Sequence, residues 1–186
     1  MENIFKDLKK HEVVNEDTIL KYKDKLPAEL IEVWKKYGFG SMLNSYLKVI
    51  NPDMYLDILE ECYSRSEQDI PIFTTSMGDI IVWEKGKYVN LLNFRKGCVN
   101  VVSSGFEFFF EDLKDADYMD DKLQWQPYKE AVEKYGEPSY EECFGYIPYH
   151  KAITNTQRTL TKHLQPGDSV DVSWPIPKHN IYPKGK

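Results

Sequence analysis

The densest group of chemistry-bearing side chains is acidic. Asp115, Asp117, Asp120 and Asp121 fall within seven positions, Glu111 and Asp112 precede them, and Lys114 is the cation among them. Such a segment reads either as a self-repelling solvated loop or as a docking surface whose field steers a basic protein. Metal binding is a third reading, but the spacing lacks the glycine pivot and terminal glutamate of a calcium loop. Cys143 and His150 are the residue types of a thiol–imidazole hydrolase. No oxyanion donor or orienting group accompanies them, so a buried structural cysteine is the preferred reading. His11, His163 and His179 show no metal-ligand spacing. The glycines of GFGSM at 38–42 could cradle an anion. Without a following GK[ST], they predict a helix stop and then a turn.

The elements that would position these residues centre on Ile70–Leu113. Apolar runs there are separated by the glycine turns SMG, EKGK and RKG, which predicts a strand meander. Gly86 and Gly97 stand where tight hairpins need positive φ. Before the meander, Asn15 caps a short helix to about Asp24. Pro27 opens a second helix, closed by Gly38, in which Trp34 is a core residue. YLKVI at 46–50 reads as a strand, and Asn51-Pro52-Asp53 starts a helix through MYLDILEECYS. Phe106, Phe109, Phe110 and Leu113 recur as one helical face. Pro127 opens a helix ended by Gly136, and Ser139 with Glu142 forms a capping-box pattern that predicts a short helix over SYEECFG. Ala152–His163 reads as a last helix. Ser169–Trp174 alternates like an edge strand, and Pro166, Pro175, Pro177 and Pro183 exclude a regular helix from the basic tail.

The 186 residues suit one domain with an appendage, and 41% hydrophobic with 29% charged residues is ordinary for a soluble globular chain. The net charge of −6 argues against nucleic acid as a direct partner and favours a basic protein. Cys62, Cys98 and Cys143 are odd in number and form no CxxC, which fits a reducing cytoplasm. The start of the chain has no apolar signal core, and no run is long enough to span a bilayer.

Four blocks occur in order: LPAELIEVWKKYGFGSMLNSYLKVINPDMY, IPIFTTSMGDIIVWEKGKYVNLLNFRKGCVNVV, FEFFFEDL and YEECFGYIP. Together they resemble the bacterial GAD-like immunity family of type VI secretion and other polymorphic toxin systems, over about residues 10–165. The resemblance implies an α+β fold: an antiparallel meander sheet with helices packed against it. A GAD-like region at 1–104, a small helical region at 105–165 and a Pro-rich tail at 166–186 would follow. It implies a cytoplasmic, non-catalytic protein that occludes a cognate secreted toxin, basic and of the DNA-cleaving kind, with no cofactor and no metal. The residues expected to bind the toxin are Asp115, Asp117, Asp120 and Asp121, with Tyr118 as an anchor and Glu141 and Glu142 in support. The alternative is a ligand-binding or regulatory module related to accessory domains of tRNA-charging enzymes.

Overall fold

A computed structural model describes residues 2–63, 68–147 and 159–164, with side chains at 4–63 and 68–145. Seven strands form one antiparallel sheet in sequence order. They are β1 (Lys9–Glu12), β2 (Phe39–Met42), β3 (Leu47–Val49), β4 (Ile70–Thr75), β5 (Ile80–Glu84), β6 (Tyr88–Asn93) and β7 (Cys98–Ser104). The helices α1 (Glu16–Tyr22) and α2 (Ala28–Tyr37) lie between β1 and β2, and α3 (Leu56–Cys62) lies between β3 and β4. After the sheet come α4 (Phe109–Asp112), α5 (Ala116–Asp121), α6 (Gln126–Tyr135) and a separate hairpin of β8 (Glu142–Ile147) with β9 (Thr159–Leu164). The α+β meander expected from the glycine-bounded apolar runs is what the chain forms.

Local chemistry explains the element ends. The Asn15 side chain accepts a hydrogen bond from Thr18 N–H at 2.7 Å and starts α1. Gly38, at φ 82°, ends α2. Lys85 and Gly86, at φ 51° and 65°, make the left-handed turn between β5 and β6. Asn51 accepts from Asp53 N–H, but the helix breaks after a 3-10 turn at Pro52–Met54 and restarts at Leu56.

Four expectations are corrected. GFGSM is not a turn or an anion loop: Phe39–Met42 is a strand paired on both sides, and a Cβ on Gly40 would lie 2.4 Å from the Lys9 carbonyl oxygen. The phenylalanine face is made by a turn and the short α4, because Gly105 at φ 106° delays the helix. Phe106, Phe109, Phe110 and Leu113 are nevertheless all buried, as their spacing requires. Ser139 and Glu142 realise half of the capping box: Ser139 N–H donates to Glu142 Oε2 at 2.9 Å. The chain then turns into β8 instead of a helix, and Phe144 N–H donates to the Ser76 carbonyl at 2.8 Å. Part of the expected last helix, Thr159–Leu164, is a strand paired with β8. The proposed strand at Ser169–Trp174 and the rest of the tail lie outside the described residues.

The two faces of the sheet carry separate cores. One holds Trp34, Leu47, Phe73, Ile81, Leu91, Phe109 and Phe110. The other holds Ile80, Val82 and Leu92 beneath Leu59 and Cys62 of α3. Alternation along β5 and β6 sends successive side chains to opposite cores.

At one end of the sheet, the C-terminal region grips three hairpin turns. In the β2–β3 turn, Leu43, Asn44 and Ser45 are all left-handed, at φ 54°, 52° and 63°, a conformation non-glycine residues rarely hold. It is held from outside: Tyr128 O–H donates to the Asn44 carbonyl at 2.5 Å, and Ser45 Oγ donates to Glu137 at 2.8 Å. Tyr46 O–H, wholly buried, donates to the Leu123 carbonyl at 2.5 Å. The β4–β5 turn offers the Ser76 carbonyl to Phe144. In the β6–β7 turn, Arg95 places Nε and Nη2 on Asp79 Oδ2 at 2.9 and 2.5 Å, while Nη1 donates to the Gln124 carbonyl at 3.3 Å.

Asp79 is fully buried and also accepts from Phe94 N–H at 3.1 Å. Removing Arg95 alone strands a buried carboxylate. We therefore predict that Arg95→Met lowers unfolding stability by about 3–5 kcal/mol. The double variant Asp79→Asn/Arg95→Met should lose clearly less. Urea unfolding of both checks this, and equal losses would show that the pair does not act as a unit.

Candidate functional site

The expected contact residues fall in two places. Asp115 caps α5, its Oδ1 accepting from Asp117 N–H at 2.8 Å and Tyr118 N–H at 3.5 Å, so part of its role is structural. Asp117, Asp120 and Asp121 are exposed on the six-residue α5. Asp120 stands 3.6 Å from Lys129 Nζ, with both side chains about 40% exposed, a separation and exposure worth little energy. Tyr118 is half-buried, and its hydroxyl donates to the Val102 carbonyl at 2.9 Å. Burial and the nearby Asp112 carboxylate push that hydroxyl's pKa up. Its donor hydrogen is thus committed within the chain.

Glu141 and Glu142 lie elsewhere. Glu141 is exposed, 3.8 Å from His11 Nε2. Glu142 lines a cleft with Lys9, Lys10, Ser41, Ser45 and Tyr140, whereas Asp120 and Asp121 line another with Arg95, Lys96 and Gln126. The structure therefore assembles Asp115, Asp117, Tyr118, Asp120 and Asp121 on one short helix and gives the two glutamates a different setting. Around them, His11 stacks on Tyr140 at 4.2 Å, and Lys9 Nζ meets Glu137 Oε2 at 2.5 Å.

The hydrolase reading gains nothing from the geometry. Cys143 is buried, and desolvation is the main influence raising its pKa, which favours the neutral thiol over the nucleophilic thiolate. His150 lies outside the described residues. Among the described residues, no group of His, Cys, Asp and Glu could hold a metal ion, and no helix is long and apolar enough to cross a membrane.

Sequence reading missed Lys48. It sits mid-strand in β3 at 1% exposure, and Nζ donates to the Glu142 carbonyl. Its signal was available: one cation inside the apolar run YLKVI. Desolvation lowers its pKa to about 8, with Cys143 and Glu142 opposing. Asp79 and Arg95 were missed as well, because each sits in a segment that reads only as a glycine turn.

Comparison with known proteins adds a family context. Residues 1–94 match the GAD-like domain. Residues 103–150 match a second family, described as T6SS immunity protein Tdi1, C-terminal. A solved structure, titled crystal structure of Atu4351 from Agrobacterium tumefaciens, shares the fold with a TM-score of 0.56 and 14% identity. The similarity covers 75% of this chain and 71% of that one. No curated protein matches the chain.

Lys48 yields a pH prediction. A base whose folded pKa is about 8, against an ordinary 10.5, leaves the unfolded chain holding more protons between those values. Its contribution to stability therefore rises with pH across that window and is absent below it. The stability of Lys48→Met relative to wild type should fall by about 3 kcal/mol between pH 7 and pH 10.5. Denaturant titrations of both proteins at the two pH values measure this, and a constant difference would contradict it.

Proposed function

The chain belongs to the GAD-like domain family, and we propose that it is the immunity partner of a secreted toxin, held in the cytoplasm to bind and occlude that toxin. The observation that carries this reading is the match of residues 103–150 to the Tdi1 immunity C-terminal region. That segment contains α4 to α6 and every acid of the expected contact surface on α5.

The charge reading supports it independently. A DNA-cleaving toxin needs a positive substrate face, and a chain of net charge −6 is suited to cover one. In this proposal Asp117, Asp120 and Asp121 supply the field that speeds encounter, and apolar anchors nearby supply the affinity. Asp115 contributes by capping the helix that presents them. Tyr118 serves as a positioning residue that ties α5 to β7. Glu141 and Glu142 form a second, smaller acidic point beside the Lys9–Glu137 cleft. The mechanism is occlusion at one chain per toxin, with no catalytic step, and the buried neutral thiol of Cys143 accords with that.

The reading predicts that bait pull-down from the native bacterium recovers one stoichiometric partner carrying a toxin domain. A folded, abundant bait that retains nothing would overturn it. With that partner in hand, the triple reversal Asp117→Lys/Asp120→Lys/Asp121→Lys should slow association at least about tenfold and flatten its salt dependence, while thermal stability stays near wild type. An unchanged association rate would move the contact surface away from α5.

A further inference from the structure

The two outer edges of the sheet are built differently. β1 is four residues long and reads Lys-Lys-His-Glu, every side chain is exposed, and its pairing is irregular between Lys10 and Glu12. Shortness, charge and a bulge are the features that stop an edge strand from accepting a foreign strand. β7 has none of the charge: Cys98, Val99, Asn100, Val101, Val102, Ser103 and Ser104 are all neutral, and the strand is seven residues long. Its inner edge pairs with β6 from Tyr88↔Ser104 to Asn93↔Cys98. Among the described residues, no strand pairs with its outer edge.

Part of that outer edge is closed. The register shifts around Val102, and its carbonyl accepts from Tyr118 of α5. Cys98–Val101 lies beyond this closure, and Val101 is 56% exposed. On the basis of the immunity reading above, we propose that Cys98–Val101 receives an extended, basic segment of the toxin as an added strand.

The chemistry of the occupant follows from the two faces of β7. Val99 pairs opposite Leu92 and packs with the core under α3, and Val101 continues that face into solvent. Asn100 pairs opposite Leu91 and so faces the side of the sheet where Met119 of α5 is buried. Alternate residues of an added strand therefore meet an apolar face and the acidic helix in turn. Asp120 and Asp121 share a cleft of about 420 Å³ with Arg95 and Lys96, the turn that leads into β7. The Arg95 charge is already engaged by buried Asp79, and the other cations beside these acids are Lys96, which lines the cleft, and Lys129, 3.6 Å from Asp120 in a half-exposed pair worth little energy. The occupant is thus a strand with apolar side chains on one face and Lys or Arg on the other. Main-chain hydrogen bonds fix the register of the added strand, its apolar side chains anchor it, and the α5 carboxylates select its charge.

The test uses the full chain, alone and bound to a catalytically inactivated form of the toxin recovered by pull-down. Hydrogen exchange should show outward-facing amides within Cys98–Val101 exchanging freely in the free chain and protected in the complex. Val101→Lys places a charge on the apolar face that the added strand must cover and should weaken binding at least about tenfold, while Val101→Thr retains it. A complex in which these amides still exchange, or in which Val101→Lys binds as wild type does, overturns the strand-addition proposal and leaves the immunity reading standing. Protection in the free chain overturns it too, with the measured mass telling a second copy from the chain's own remainder. Failure of the purified chain to bind any toxin removes both.

Discussion

A buried carboxylate that must be paired determines how the two halves of this chain meet. Asp79 lies at the end of the β4–β5 turn with no side-chain exposure, where an unpaired charge would be costly. Arg95, from the neighbouring β6–β7 turn, neutralises it and uses its remaining reach to hold the carbonyl of Gln124. Gln124 itself is left-handed, at φ 56°, and its side chain accepts from Asn93 at 3.1 Å. The segment between α5 and α6 is therefore set by the sheet, and with it the direction in which the α5 acids project.

The sheet is also held by tyrosines. Tyr46, Tyr128 and Tyr140 each bury a ring and end in a hydroxyl that donates to a backbone carbonyl, of Leu123, Asn44 and Val49 respectively. A tyrosine suits this use, because it buries an aromatic body and satisfies its polar tip. The strained Leu43–Ser45 turn persists because Tyr128, Glu137 and the Asp7 carboxylate, which accepts from Asn44 N–H at 2.7 Å, hold it from three sides.

What the sequence showed, it showed through local rules. Caps at Asn15, glycine stops at Gly38 and Gly136, the left-handed Gly86, and the alternating apolar runs of the meander all depend on neighbours in the chain. Where tertiary pairing decided the outcome, local rules failed. Phe39–Met42 became a strand because β1 and β3 lie on either side of it, which no spacing within GFGSM reveals. Ser139 and Glu142 carry a helix-start pattern, but Ser76 draws Phe144 into extended backbone. The acidic cluster was visible as composition. Its division into a cap, an edge-tethering tyrosine and three projecting acids depends on partners about sixteen residues away at Val102 and within α5 itself.

Residues 1–94 match the GAD-like domain and residues 103–150 match the Tdi1 C-terminal family, and the contacts above join the sheet to the second segment through the Arg95 guanidinium and tyrosine hydroxyls. The claim built on this is neutralisation by occlusion. It is tested most directly by titrating the partner toxin's activity with the purified chain. Activity should fall linearly to zero at one chain per toxin. Undiminished activity at excess chain would contradict neutralisation, and complete inhibition at a small fraction of one equivalent would contradict occlusion.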